Sequence, residues 1–194
     1  MVFPTASPKV IDKAKQIMAM DPIFLDTETT GFGRNDVVIE IGIVNLGGKV
    51  LFESLIKPAI PIPPASSLIH GITDEMVIDA PGWKDVWSEI ENVLKDRIIG
   101  MYNADFDLRL MKQTHQRYWL DWNIEDKRTF CVMKLFAAFY GDWNSKHNSF
   151  RLHKLENAGR MSGIALPNSH HAVDDAKLTA ALMAYIAGCT PGQA

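Results

Sequence analysis

The sequence predicts an α/β layered domain built on a mixed sheet, and three observations carry that prediction. Strand-like segments come first and include a hairpin, residues 37–46 joined to residues 49–58 through Gly47 and Gly48. A further buried strand, residues 97–102, follows a helix-like stretch, as a parallel neighbour requires. Helical patterns dominate from there on, so helices are expected to flank the sheet.

The elements follow in order. Pro8 opens an amphipathic helix over about residues 8–20, read as an N-terminal helical extension (1–22) ahead of the main domain (23–188), with a short tail at 189–194. IFLDTE reads as a buried strand running into the turn TTG. The Pro-rich KPAIPIPP leads through IHGITDEM to a helix from about 82 to 94, where Trp83, Trp87, Ile90 and Leu94 share a face. Asn103 is placed to cap the next helix. A fifth strand near residues 124–128 precedes the apolar helix TFCVMKLFAAFY, which holds Cys131 and ends at Gly141. WNSKHNSF reads as a basic loop, a helix runs through Leu155 to near Gly159, and a closing helix spans about 173–187.

Composition narrows the class. With 194 residues, 47% of them hydrophobic and 22% charged, the chain suits one domain with its own core and excludes disordered or fibrous types. A net charge of −3 provides no global basic field, so a nucleic-acid partner would be met through a local patch or metal ions. Cys131 and Cys189 fit neither a disulfide framework nor a zinc pattern, and no stretch suits a signal peptide or a membrane span. A reducing cytoplasm is the expected location, with no membrane partner.

Several carboxylates sit where a core should be. Asp26 and Glu28 lie two apart on a strand and point to one face near its carboxyl end. Such a pair repels unless a cation lies between, and Mg²⁺ or Mn²⁺ takes oxygen ligands. One acid capping the turn with the other solvated is the plainer alternative. Asp105 keeps register with Arg109 and Lys112, a solvated face, whereas Asp107 aligns with Leu110, Met111 and Thr114 and so points inward. By the same test Asp174 falls with Lys177, Leu178 and Ala181 on a mixed flank, and Asp175 with Leu178, Leu182 and Ile186 faces inward. Four inward acids at strand and helix ends suggest two divalent ions for chemistry at phosphorus, with His170 or His171 as general base.

Three motifs, LDTETTG, YNADFD and HHAVDDA, in that order, with EIG and HGITDEM between the first two, resemble those of the DEDDh-type 3′→5′ exonucleases. That family includes the proofreading epsilon subunit of bacterial DNA polymerase III. The resemblance runs from about residue 23 to 186 and implies a ribonuclease-H-like fold with a five-stranded mixed sheet. It implies two ions, Mg²⁺ or Mn²⁺, held by Asp26, Glu28 and Asp175 directly and by Asp107 through water or at the second ion. His170, five residues before the last acid, matches the family's general base; His171 stands where the sister DEDDy type has tyrosine. Thr29, Thr30 and Gly31, with His70, Asn103 and Phe106, resemble the residues that hold a 3′-terminal nucleotide, although Phe106 also suits the core and Asn103 a cap.

The implied reaction is hydrolysis of the terminal phosphodiester of DNA, releasing nucleoside 5′-monophosphates in proofreading, repair or trimming. Lys146, His147, Arg151, His153 and Lys154, interleaved with Trp143 and Phe150, suit contact with a strand or simply a solvated loop. The expected partner is nucleic acid with a free 3′ end, DNA before RNA. A DNA polymerase subunit is a further reading, although no attachment tail is recognisable. The alternatives are a 3′→5′ exoribonuclease of the same superfamily, a phosphohydrolase of small esters, and a non-catalytic binding module. The last would have lost a ligand, and none is missing.

Overall fold

Ile23, Phe24 and Leu25 are all buried, so the strand that carries them must be covered on both faces. The computed structural model, which describes residues 7–124, 128–167 and 169–188, places it at the centre of the sheet. In chain order the described elements are α1 (Pro8–Met18), β1 (Ile23–Thr29), β2 (Val38–Asn45), β3 (Val50–Leu55), α2 (Pro64–His70), α3 (Trp83–Leu94), β4 (Ile99–Met101) and α4 (Ala104–Arg117). They continue with β5 (Thr129–Cys131), α5 (Val132–Tyr140), β6 (Trp143–Asn144), β7 (Ser149–Phe150), α6 (Leu155–Met161) and α7 (Ala172–Ile186).

The five-stranded sheet has the order β3-β2-β1-β4-β5. β2 is antiparallel to β1 and β3, and β4 and β5 run parallel to β1, which makes the expected mixed sheet. Alternation along β1 divides the core. Ile23 and Leu25 pack with α3 and α4, while Phe24 packs with α1, α5, α6 and α7. The predicted stripe on α3 is fully inside, with Trp83, Trp87, Ile90 and Leu94 all buried. Ala14 and Ile17 anchor the N-terminal helix in the α7 cluster.

Some expectations shift. The fifth strand lies at Thr129–Cys131 rather than near 124–128, because Thr129, Phe130 and Cys131 pair with Ile99, Gly100 and Met101. Parallel pairing therefore claims three residues expected to be helical, and Cys131 ends a strand; residues 125–127 lie outside the described residues, as do Cys189 and the tail. α2 was not expected, although Pro64 at its start and Gly71 in a left-handed cap at φ 75° are helix signals. Asn103 holds the N-cap position of α4 without a side-chain capping bond. Asp105 is exposed as expected, but its partner is Lys134 of α5 at 2.5 Å. The basic loop is a small hairpin, β6–β7, and His153 turns inward against Phe136 and Tyr140 rather than joining its surface.

One contact positions the site. α7 crosses β2 at Gly42, where an added Cβ would stand 2.5 Å from the Val173 nitrogen and 2.6 Å from the Ala172 carbonyl carbon. Only glycine allows that approach. Gly42 pairs with Asp26, so the start of α7 is brought over the acidic stretch of β1.

Candidate active site

Asp26 and Glu28 alternate with buried threonines on β1, so they share the face that α7 covers. Asp175 enters that space from the first turn of α7, where it is 7% exposed. His170 precedes the helix at φ 54°, a left-handed conformation unusual for a non-glycine residue. One ligand atom from each of Glu28, His170 and Asp175 falls within 4.8 Å of the others. His171 leaves in another direction and places Nδ1 3.4 Å from Glu40. The backbone turn at His170 thus separates two adjacent histidines that helical register could not.

Asp107 comes from the other layer. It is buried in α4 on the face it shares with Leu110, Met111 and Thr114, and it accepts a 2.8 Å hydrogen bond from the Thr27 hydroxyl. It lies outside the 4.8 Å group, as does Asp26, but both belong to one electrostatic cluster. Burial, followed by the charges of Asp107, Asp175, Glu28 and Glu40, holds the Asp26 carboxyl well above its usual range. Burial, then Asp175, Glu40 and Asp107, pushes Glu28 up to about 9. Burial also raises Asp107, with the Thr27 hydrogen bond working against it. Without a cation, the cluster holds protons that free carboxyls would release.

The expected nucleotide-binding residues are more engaged than the sequence suggested. Thr29 donates its hydroxyl to the Gly31 carbonyl at 2.8 Å, and Thr30 donates to Asp36 at 2.8 Å while accepting the Val37 N–H. Their hydroxyls build the turn. His70 is 4% exposed at the end of α2, and its Nδ1 accepts the Ile72 N–H at 3.1 Å, which leaves the proton on Nε2. α2 is fastened to the turn by Ser66, which donates to the Thr30 carbonyl at 2.7 Å. Phe106 is half-buried beside Phe32 and under Arg109, and Asn103 is exposed.

Glu40 is the neighbour that sequence reasoning left without a role. Its signal was a charge inside the apolar run VVIEIGIV, two residues before the glycine that α7 crosses.

The family described as Exonuclease matches residues 23–183, most of the chain. The chain belongs to the exonuclease family. Its fold is shared with the nuclease domain of 3′hExo, described as a DEDDh family member, which aligns with a TM-score of 0.67 and 16% identity over 84% of this chain and 89% of that one. An uncharacterized exonuclease of Escherichia phage 186 is 34% identical over 92% of this chain and 94% of its own. The 3′-5′ exonuclease DinG of Staphylococcus haemolyticus is 32% identical over 82% of this chain, which spans only 17% of that longer protein. A solved structure, exonuclease X in complex with 5′ overhanging duplex DNA, aligns with a TM-score of 0.64 and 26% identity over 88% of this chain and 95% of that one.

Exonucleases of this family generally use divalent metal ions, and the donor set fits them. Carboxylate oxygens are hard ligands, and buried acids held above their usual pKa range are groups that a cation would stabilise in ionised form. The sign of the pH effect follows. An acid whose folded pKa is raised contributes stability below its unfolded value and loses it as pH rises through the folded one. In chelator, the melting temperature should therefore fall between about pH 4.5 and 9, the span set by Glu28. Mn²⁺ or Mg²⁺ should raise it, and by more at pH 9 than at pH 6. Thermal unfolding across that range checks this, and a metal-independent, flat profile would refute it.

Proposed function

We propose that this exonuclease removes nucleoside 5′-monophosphates from the 3′ end of DNA, with two Mg²⁺ or Mn²⁺ ions held by Asp26, Glu28, Asp107 and Asp175. The meeting of Glu28, His170 and Asp175 within 4.8 Å carries the reading. It brings a proton acceptor to a carboxylate site, as hydrolysis at phosphorus requires. The ions, when bound, neutralise phosphate charge and stabilise the attacking and leaving oxygens. His170 takes the proton of the attacking water on a ring nitrogen. Thr29, Thr30 and Gly31 shape the turn against which the terminal nucleotide rests. His70, buried with its Nδ1 held by the Ile72 N–H, backs that turn on the sugar side, and Phe106, steadied by Arg109 and Phe32, offers a ring face to the base. Asn103 stands exposed beside it at the start of α4.

Charge suggests where the remaining strand runs. A groove of about 730 Å³ on one flank is lined by Glu40, Glu53, Asp79 and Asp174 against Lys177 and His171, a balance of charge that disfavours a polyanion. The β6–β7 hairpin instead presents exposed Trp143 and Phe150, 5.0 Å apart, with Lys146 in its turn and Lys154 just beyond. Stacking rings among cations suit a single strand. Substrate preference for DNA draws on the relative solved with duplex DNA. Cytoplasmic location is part of the same proposal; among the described residues no helix is long and apolar enough to cross a membrane.

End-labelled DNA and RNA oligonucleotides, with and without Mn²⁺, test the reading. A 5′-labelled DNA strand should shorten one nucleotide at a time, a 3′ label should leave as a nucleoside 5′-monophosphate, and chelator should stop both. Faster loss of RNA would favour the exoribonuclease alternative. Hydrolysis of a mononucleotide ester with intact oligonucleotides would overturn the proposal.

A further inference from the structure

Glu40 sits on β2 directly opposite Glu28 in β1, with its side chain 17% exposed. A fifth carboxylate beside four others adds repulsion. Its hydrogen bonds show what offsets that cost. Oε2 accepts the Ala172 N–H at 2.9 Å, and Oε1 lies 3.4 Å from His171 Nδ1. α7 has no cap of its own, because His171 occupies the N-cap position without a side-chain capping bond. Helix amino termini leave several N–H groups unpartnered, and a carboxylate there both accepts one and complements the macrodipole.

We infer that Glu40 is a positioning residue: from β2 it clamps the first turn of α7 and so sets where His170 and Asp175 stand. The clamped Ala172 lies between them in the chain. On one side, the Asp175 N–H bonds to the His171 carbonyl at 3.1 Å, which continues the hold into the helix. On the other, His170 keeps a left-handed backbone that costs energy for a residue with a Cβ and persists only where its surroundings hold it. Gly42, two residues along the same strand, provides the close seat without which the bond from Glu40 would not reach. β2 thus supplies both the seat and the latch for the helix that delivers the last acid and the base.

The activity arm of the test rests on the exonuclease proposal; the structural arm does not. Amide hydrogen exchange over residues 172–176 is measured in the wild type, Glu40→Ala and Glu40→Gln, beside kcat and KM on a DNA oligonucleotide. Glu40→Ala should exchange roughly 2- to 30-fold faster there, the range of a lost helix cap. Its kcat should fall on the order of 10-fold or more, the scale of a small misplacement of catalytic groups, with KM little changed. Glu40→Gln keeps an oxygen that can accept the Ala172 N–H, so it should restore protection and most of kcat. Unchanged exchange in Glu40→Ala would overturn the inference. So would a Glu40→Gln variant that recovers protection while staying as slow as Glu40→Ala, since charge rather than position would then matter. A wild-type protein that leaves DNA intact would sink the exonuclease proposal instead, with the exchange result still deciding the clamp.

Discussion

Replacing Asp26 or Asp175 by alanine is expected to abolish divalent-metal-dependent hydrolysis while leaving a folded protein. On the two-ion proposal each change removes a hard oxygen ligand, from a site where burial first and neighbouring carboxylates second hold Asp26 and Glu28 above their usual pKa range. The same repulsion gives the prediction a second sign. In chelator at pH 8 to 9, Asp26→Ala should melt above the wild type, because one member of a mutually destabilising cluster is gone. Each ~1 kcal/mol of relief would raise the melting temperature by about 2–4 °C for a chain of this size. Added Mn²⁺ should stabilise the wild type and do little for the variant. Activity assays and melting curves with and without metal check both halves, and a variant with normal activity would end the two-ion reading.

The second large effect is expected at His170. His170→Ala should lower kcat by roughly 10²- to 10⁴-fold, the usual contribution of a positioned general base, with oligonucleotide binding retained. His171→Ala should cost far less, because it removes only the 3.4 Å contact and leaves the Glu40 to Ala172 bond in place. Asp174→Ala should cost little as well, since that side chain is engaged by Ser169 and Lys177 outside the acidic cluster. Equal losses at both histidines would mean that the turn at His170 does not aim the two rings apart. Single-turnover rates on a labelled oligonucleotide give the comparison directly.

Legibility followed the range of the interactions involved. Asp107 and Asp175 could be chosen over Asp105 and Asp174 because a helix presents residues three and four apart on one face, and the apolar partners of each are themselves buried. The β2–β3 hairpin announced itself through two adjacent glycines. The position of β5 did not, because a three-residue strand has too little pattern of its own and is defined by pairing with β4. Asn103 looked like a cap, yet its side chain makes no such bond, since whether a polar group caps depends on what else it meets in the fold. The Thr29 and Thr30 hydroxyls appeared free for substrate and are instead held by Gly31 and Asp36, contacts set by the path of the turn.

By itself, then, the sequence determined the layered α/β architecture, the inward acids on β1, α4 and α7, and, through its ordered motifs, the exonuclease family. Those features arise from strand alternation and helical period, which act over a few residues. Only the tertiary structure decided how the acids meet across two layers, which of two adjacent histidines turns toward Glu28 and Asp175, and that Glu40 reaches from β2 to cap α7. Each depends on groups far apart in the chain, the last spanning Glu40 to Ala172, and on a close approach at Gly42 that no local pattern encodes.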